Sequence, residues 1–346
     1  MDLQCGVNLK TVIQNIKTAK SRMPKSTRFC AVVKANAYGM GDIKVSHAIA
    51  DHVYMFAVAR IAEAVRLRES GITKPILLFG ICEDYKTAIA HNITVTCGSM
   101  KEMYAVAGAS ALGKLNVHIK VNTGMNRFGI CTPWHLRNML AYSQKFKNLN
   151  ICGLYTHFSH EYTSQAGQVE VDKQLKRFAP YRAIMRRTCP HALVHAACSG
   201  TAHYRLAQFD MVRIGKAMYG GFEGYKTAVT IAAKIIAVQH LTKGQHVGYG
   251  GKFTATENMT AGIVSCGYAV AGFLLLGNKY EIYVDKKPCK ILGAVCMDTM
   301  AIDISDIQNP QGKMAIISGD SAGSRITDFI NQNGTSGATY LCTLGI

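Results

Sequence analysis

Phe29-Cys30-Ala31-Val32-Val33-Lys34-Ala35-Asn36-Ala37-Tyr38-Gly39-Met40-Gly41 is a short apolar run that ends on a lysine and then turns. Its composition predicts a buried strand over 29–33, with Lys34 delivered at the C-terminal end and glycines beyond it to turn the chain. Most strand-end lysines are solvated and idle. One held in a dry pocket behaves differently: desolvation disfavours the ammonium, so part of it is free amine near neutral pH and can form a Schiff base with an aldehyde. The rest of the chain decides between these readings.

The same kind of run recurs outward from Lys34, at 29–33, 56–59, 76–79, 93–96, 117–121, 151–155, 192–195 and 211–214. Each is short, mostly apolar and rich in β-branched or aromatic residues, as strands buried on both faces of a parallel sheet are. Segments with helical spacing separate them, among them 61–69, 99–107, 133–145 and 168–187. Strand and helix in alternation predict an α/β fold, an N-terminal (β/α)8 TIM-like barrel. Beyond Gly220 the runs at 229–238, 259–264, 280–284, 290–295, 300–304 and 314–317 follow one another without helices. They predict a C-terminal, mostly antiparallel β domain. The expected division is 1–224 for the barrel and 225–346 for the β domain.

The 346 residues are 49% hydrophobic and 17% charged, which excludes disorder and allows a large core. A formal net charge of +18 invites a nucleic-acid reading. The basic residues are scattered, however, without aromatics between them, and the densest cluster is Arg182, Arg186 and Arg187 on an expected helix. Attraction for small anions is the better reading. None of the 12 cysteines shows C-x-x-C spacing, and many lie in apolar runs, so buried free thiols in a reducing cytoplasm are expected, with no metal set. Residues 1–20 read as polar and helical, unlike a secretory signal, and the longest apolar run, 268–277, is too short to cross a membrane.

Catalysis in such a barrel sits at the C-terminal ends of the strands. The unusual polar residues fall there: Lys34, Arg127, His157, His195, Ser199, Arg213 and Gly215. Gly215 and Ser199 follow the last two barrel strands, where a backbone N–H and a hydroxyl can take a phosphate. His157 offers a flat ring, Arg213 a permanent donor and Lys34 an amine. Phosphate, aromatic ring and aldehyde together describe pyridoxal 5′-phosphate (PLP).

The chain resembles the alanine racemase family of fold-type III PLP enzymes, which includes the serine racemases of vancomycin-resistance systems. The resemblance rests on Ala31 to Gly39, Lys120 to Gly129, Thr156-His-Phe158, His195-Ala-Ala, Met211 to Gly220, Val247-Gly-Tyr-Gly250, Gly267-Tyr-Ala269 and Val295-Cys-Met-Asp298. It implies that Lys34 carries PLP and acts as one acid/base. Tyr249 would be the opposite one, reaching the site from the other subunit of a homodimer. Arg213 would hold the pyridine nitrogen without protonating it, favouring proton exchange over transamination. His195 would link Arg213 to Tyr249. Arg127 would approach the cofactor's phenolic oxygen or the substrate carboxylate, positioned by Lys120, the family's carbamylated lysine. Tyr38, Ser199, Gly215 and Tyr219 would line the phosphate end, and Tyr268 and Met297 of the partner subunit would shape the substrate entrance. The implied activity interconverts L- and D-alanine and supplies D-amino acid for cell-wall peptidoglycan. L- and D-serine are the alternative substrates, and no nucleic acid or membrane partner is implied.

The chain departs from the family pattern at Met40 for His, Asn122 for Asp and Cys198 for Asn. It also has an apolar 270–276 run in place of an acid and an arginine, and ends at Ile346, before a further segment carrying a phosphate-contacting tyrosine. The apolar run is expected to need cover at the subunit interface. These changes leave open a PLP-binding paralogue with weakened or no turnover, and a related PLP decarboxylase is a further alternative, though one that would place an acid on the pyridine nitrogen.

Overall fold

Residues 3–275, 280–320 and 323–344 are described in the computed structural model. Leu276 and Gly277, at the end of the long apolar run, lie outside the described residues, as do Gly345 and Ile346. In chain order the strands are β1 (Leu3–Val7), β2 (Arg28–Val32), β3 (Met55–Val58), β4 (Ile76–Leu78), β5 (Ile93–Cys97), β6 (Leu115–Lys120), β7 (Leu149–Tyr155), β8 (Leu193–Cys198) and β9 (Met211–Ile214). They continue with β10 (Val229–Leu241), β11 (His246–Val247), β12 (Phe253–Thr254), β13 (Met259–Val264), β14 (Glu281–Val284), β15 (Lys287–Leu292), β16 (Met300–Asp303) and β17 (Met314–Ser318).

β2 to β9 pair in sequence and close into a parallel barrel, β9 returning to β2. The expected fold holds, because the strands are apolar on both faces: Phe29, Phe56, Ile76, Val117, Leu154, Val194 and Met211 are all buried. The intervening helices start on sequence signals that local chemistry explains. Ser99 Oγ accepts from Glu102 N, Ser164 Oγ from Gly167 N, and Thr132 Oγ1 from His135 N ahead of Pro133.

The chain divides into two compact units, 16–37 with 41–215, and 1–15 with 38–40 and 216–346. The second holds a seven-stranded sheet in the order β1-β10-β13-β16-β15-β14-β17, with β17 also paired to β10. Its first strand corrects two expectations. Residues 3–7 are a strand, antiparallel to β10 with Leu3 opposite Ala233 and Val7 opposite Val229, so the chain's start joins the second unit rather than the barrel. The alternation of Leu3, Cys5 and Val7 spans too few residues to stand out beside the helix Leu9–Ser21 that follows.

The second unit also contains two unexpected short helices, Ile326–Asn333 and Gly337–Cys342. They correct the reading of the 270–276 run. Phe273 is fully buried within its own unit, with ring centroids 4.0 Å from Tyr340 and 5.1 Å from Phe329. Leu274 is also buried, whereas Leu275 is exposed. Cover for the described part of the run thus comes largely from this chain. Among the described residues no helix is long and apolar enough to cross a membrane.

Candidate active site

Lys34 follows β2 as the spacing requires. The β2–β3 ladder ends one residue before it, with Val33 N donating to Ala57 O at 2.9 Å. Lys34 is half-buried, and no carboxylate among the described residues pairs with its ammonium. The chain then winds left-handed through Ala35, Asn36, Ala37 and Tyr38, with φ of 53°, 53°, 53° and 58°. Such a run costs roughly 1–2 kcal/mol per residue. Ala37 N to Val33 O at 2.8 Å, Gly41 N to Asn36 O at 3.0 Å and Asp42 N to Asn36 Oδ1 at 3.0 Å help to hold it.

Arg213, on β9, is buried and has no carboxylate partner among the described residues. Its Nη1 donates to His195 Nδ1 at 2.7 Å, and its Nη2 faces Thr156 O and Ala196 O, each at 2.9 Å, and His157 Nδ1 at 3.3 Å. None of these bonds uses Nε. A guanidinium only donates, so His195 Nδ1 is an acceptor and its proton sits on Nε2. That nitrogen then donates to His118 Nδ1 at 2.9 Å. Both rings are buried and neutral: burial, then the Arg213 charge, lowers His118 to about 3 and holds His195 well below the usual histidine range. Tyr155 stacks on His195 at 4.9 Å, and its hydroxyl meets Thr96 Oγ1 at 2.9 Å.

This arrangement corrects one expected role. Both nitrogens of His195 are engaged inside the barrel, so it has no nitrogen left to link Arg213 to Tyr249. His157 is the histidine that faces Arg213 with only one nitrogen and stays partly exposed.

Lys120, at the end of β6, is buried, with Nζ 3.4 Å from the centroid of the Phe128 ring. Burial, then the charges of Arg127 and Arg213, lowers it to about 8. Arg127 itself is exposed and makes no hydrogen bond among the described residues. The loop between them is tied by Asn122, whose Oδ1 accepts from Gly124 N at 3.1 Å and Asn126 N at 3.0 Å. An aspartate would accept the same two bonds, so this departure leaves the loop intact. Gly129 is required there: at φ +133° a Cβ would lie 2.8 Å from Asn122 N.

Ser199 and Gly215 meet, Gly215 N donating to Ser199 Oγ at 3.3 Å. Cys198, just before, donates from N to Thr201 Oγ1 at 3.0 Å. In the second unit Tyr38 and Tyr219 are buried with ring centroids 5.8 Å apart, and Met40 is buried too. Tyr268 and Met297 are brought together by backbone bonds, Tyr268 N to Cys296 O and Ala269 N to Met297 O, both 3.0 Å. Tyr249 is 77% exposed and Met297 56% exposed.

Residues 7–222 match the family model for the N-terminal domain of alanine racemase, and residues 228–346 match that for its C-terminal domain. The chain belongs to the alanine racemase family. An alanine racemase of Thermodesulfovibrio yellowstonii is 35% identical over 318 residues, 89% of this chain and 85% of that protein. One of Lactococcus lactis subsp. cremoris is 32% identical over 353 residues, 98% of this chain and 94% of that protein. The crystal structure of alanine racemase from E. faecalis matches with a TM-score of 0.89 at 27% identity, covering 99% of this chain and 96% of that one. The chain is therefore an isomerase of the racemase type.

Some of the racemase's inner polar residues escape a reading of strand ends. His118 is the clearest. It lies two residues before Lys120 in β6, so the two share one face of the strand. A histidine at i−2 from an inward lysine, in a strand whose other residues are Leu115, Asn116, Val117 and Ile119, was the available signal. Glu63, in the helix Ile61–Glu69, carried no such signal.

Proposed function

We propose that this racemase interconverts L- and D-alanine with PLP held at the mouth of the barrel. The observation that carries the reading is Arg213: a buried guanidinium held by His195, Thr156 and Ala196, with Nε left out of those bonds, on the strand beside the one that delivers Lys34. The residues fit the cofactor. Lys34 supplies an amine free of ion pairs, Arg213 Nε a donor for a ring nitrogen, and Gly215 N with Ser199 Oγ a phosphate end, to which Tyr38 and Tyr219 are assigned as well. PLP, when bound, supplies an aldehyde for the amine and an electron-withdrawing ring beside the substrate Cα.

Racemisation needs a proton taken from one face of Cα and returned to the other. Lys34 Nζ is proposed for one face. Tyr249 Oη is proposed for the other, contributed by a second copy of the chain; its exposure and that of Met297 support a shared site. A phenol with a reference pKa of about 10 is a weak base, so it needs positive charge nearby. His157, bonded to Arg213 through Nδ1, is the residue suited to transmit that charge. Arg213 keeps its proton, so a ring nitrogen facing it stays unprotonated, which favours simple proton exchange. Arg127, exposed at the end of its loop, is assigned to the substrate carboxylate or the cofactor's phenolic oxygen. Tyr268 and Met297 are assigned to the substrate entrance. Lys120, lowered to about 8 by burial and cationic neighbours, has enough free amine to react with carbon dioxide, which supports its assignment as a carbamate. The D-alanine formed would supply peptidoglycan.

The deciding measurement is α-proton exchange and chirality in deuterated solvent, with PLP added and L-alanine or L-serine as substrate. D-alanine carrying deuterium supports the reading. Bound PLP without exchange from any amino acid would leave a carrier protein instead.

A further inference from the structure

We propose that Glu63 is the positioning residue for Lys34. The inference rests on the reading of Lys34 as the cofactor-carrying amine. Glu63 is buried at the third position of the helix Ile61–Glu69, which follows β3. Its Oε2 accepts from Ala59 N at 2.8 Å and Arg60 N at 3.0 Å, the reach-back of a capping box. A cap needs no more than this. Its Oε1, however, crosses to the neighbouring strand end and accepts from Ala35 N at 2.7 Å.

That N–H is two residues beyond the last rung of the β2–β3 ladder, Val33 N to Ala57 O, and so the next in the alternation that faces β3. Its partner among the described residues is Glu63 alone. Ala35 N belongs to the peptide plane that begins at Lys34 C, and that plane is rigid. With the strand held upstream by the Val33 N bond to Ala57 O, holding the Ala35 N–H downstream restrains the two peptide planes that flank the Lys34 Cα, and so the direction in which its Cβ leaves the strand. The same bond pins the first residue of the left-handed run, which persists only where its surroundings over-determine it. One carboxylate thus ties two adjacent strand ends together beside the residue that carries the amine.

Two variants separate aiming from capping. Glu63→Asp keeps a carboxylate able to cap but is one methylene short of Ala35. Glu63→Gln keeps the length but turns an NH2 toward backbone donors. With PLP added, borohydride trapping on Lys34 is followed by mass spectrometry, beside thermal unfolding and steady-state kinetics for alanine. Glu63→Asp is expected to stay folded, trap PLP about tenfold to a hundredfold more slowly and lose kcat with little change in KM, as small misplacements of a reacting group do. In the wild-type protein, hydrogen exchange at Ala35 N should be as slow as at Val33 N.

Folded variants that trap PLP at the wild-type rate would overturn the proposal, as would a slowing that only tracks the unfolded fraction. Fast exchange at Ala35 N would overturn it even if neither variant folds. Lys34→Ala is the control for the underlying reading: trapping on another residue there, or none on Lys34 in the wild type, sinks the cofactor assignment itself.

Discussion

Arg213 donates from Nη1 to Nδ1 of His195 across 2.7 Å, with both side chains buried and no carboxylate bonded to either among the described residues. A buried cation is ordinarily neutralised by an acid. Here the charge is spread instead over two backbone carbonyls and two imidazoles, and His195 passes the polarisation to His118. Among the described residues the guanidinium's hydrogen-bond partners are all neutral, which suits it to a further neutral acceptor.

The inner end of this chain is testable by removing it. His118→Phe leaves the His195 Nε2–H buried without an acceptor, which costs roughly 1–3 kcal/mol. Urea unfolding should show that loss. Racemase activity per folded molecule should also fall, because His195 loses the bond that orients it under Arg213. Wild-type stability in this variant would show the bond to contribute nothing.

Acid should destabilise the protein through the same histidines. Burial, and then Arg213, holds His118 at about 3 and His157 and His195 well below 6.5 in the folded state. Unfolded, each takes a proton near pH 6.5. The unfolded state therefore binds more protons below that pH, and stability falls as pH drops from about 6.5 toward about 3, by about 1.4 kcal/mol per pH unit for each histidine. The slope of unfolding free energy against pH should be shallower in His118→Phe. An unchanged slope would count against the neutral pair.

Lys120 should react with carbon dioxide. Its amine is lowered to about 8 by burial and cationic neighbours, so a substantial fraction is unprotonated in mild alkali. Labelled bicarbonate should give a carbamate signal by 13C NMR, absent in Lys120→Met, and the signal should grow as pH rises toward 8. A wild-type spectrum without it would leave Lys120 as a cation over Phe128.

Tyr249→Phe should act on one enantiomer. If Lys34 and Tyr249 serve opposite faces of Cα, as proposed, removing the phenol should slow Hα exchange from one alanine enantiomer by about a hundredfold or more and leave the other less affected. Equal slowing of both in deuterated solvent would argue against two separate bases.

Gly129→Ala should disable the loop that carries Arg127. A Cβ there would fall 2.8 Å from Asn122 N and 2.9 Å from Val121 C at a φ of +133°. Relief requires moving the 122–129 segment, at about 1–3 kcal/mol of strain. A lower melting temperature and a raised KM for alanine are expected, and an unchanged pair would place the loop away from substrate.

The barrel and the strand ends bearing Lys34, His157, Ser199 and Arg213 were legible because periodicity and turn chemistry act over a few neighbouring residues. The brief alternation of Leu3, Cys5 and Val7 was too short to register, and the helix Ile326–Asn333 lies beyond the last run, 314–317, where only the β domain was expected. Other relationships depend on side chains that meet only after folding. His118 lies 77 residues from His195, which lies 18 from Arg213. Which ring nitrogen faces which neighbour follows from how three strands bring those side chains together. Glu63 aims Lys34 for the same reason: a carboxylate at a helix start reads as a cap until the adjacent strand brings Ala35 N within 2.7 Å of it.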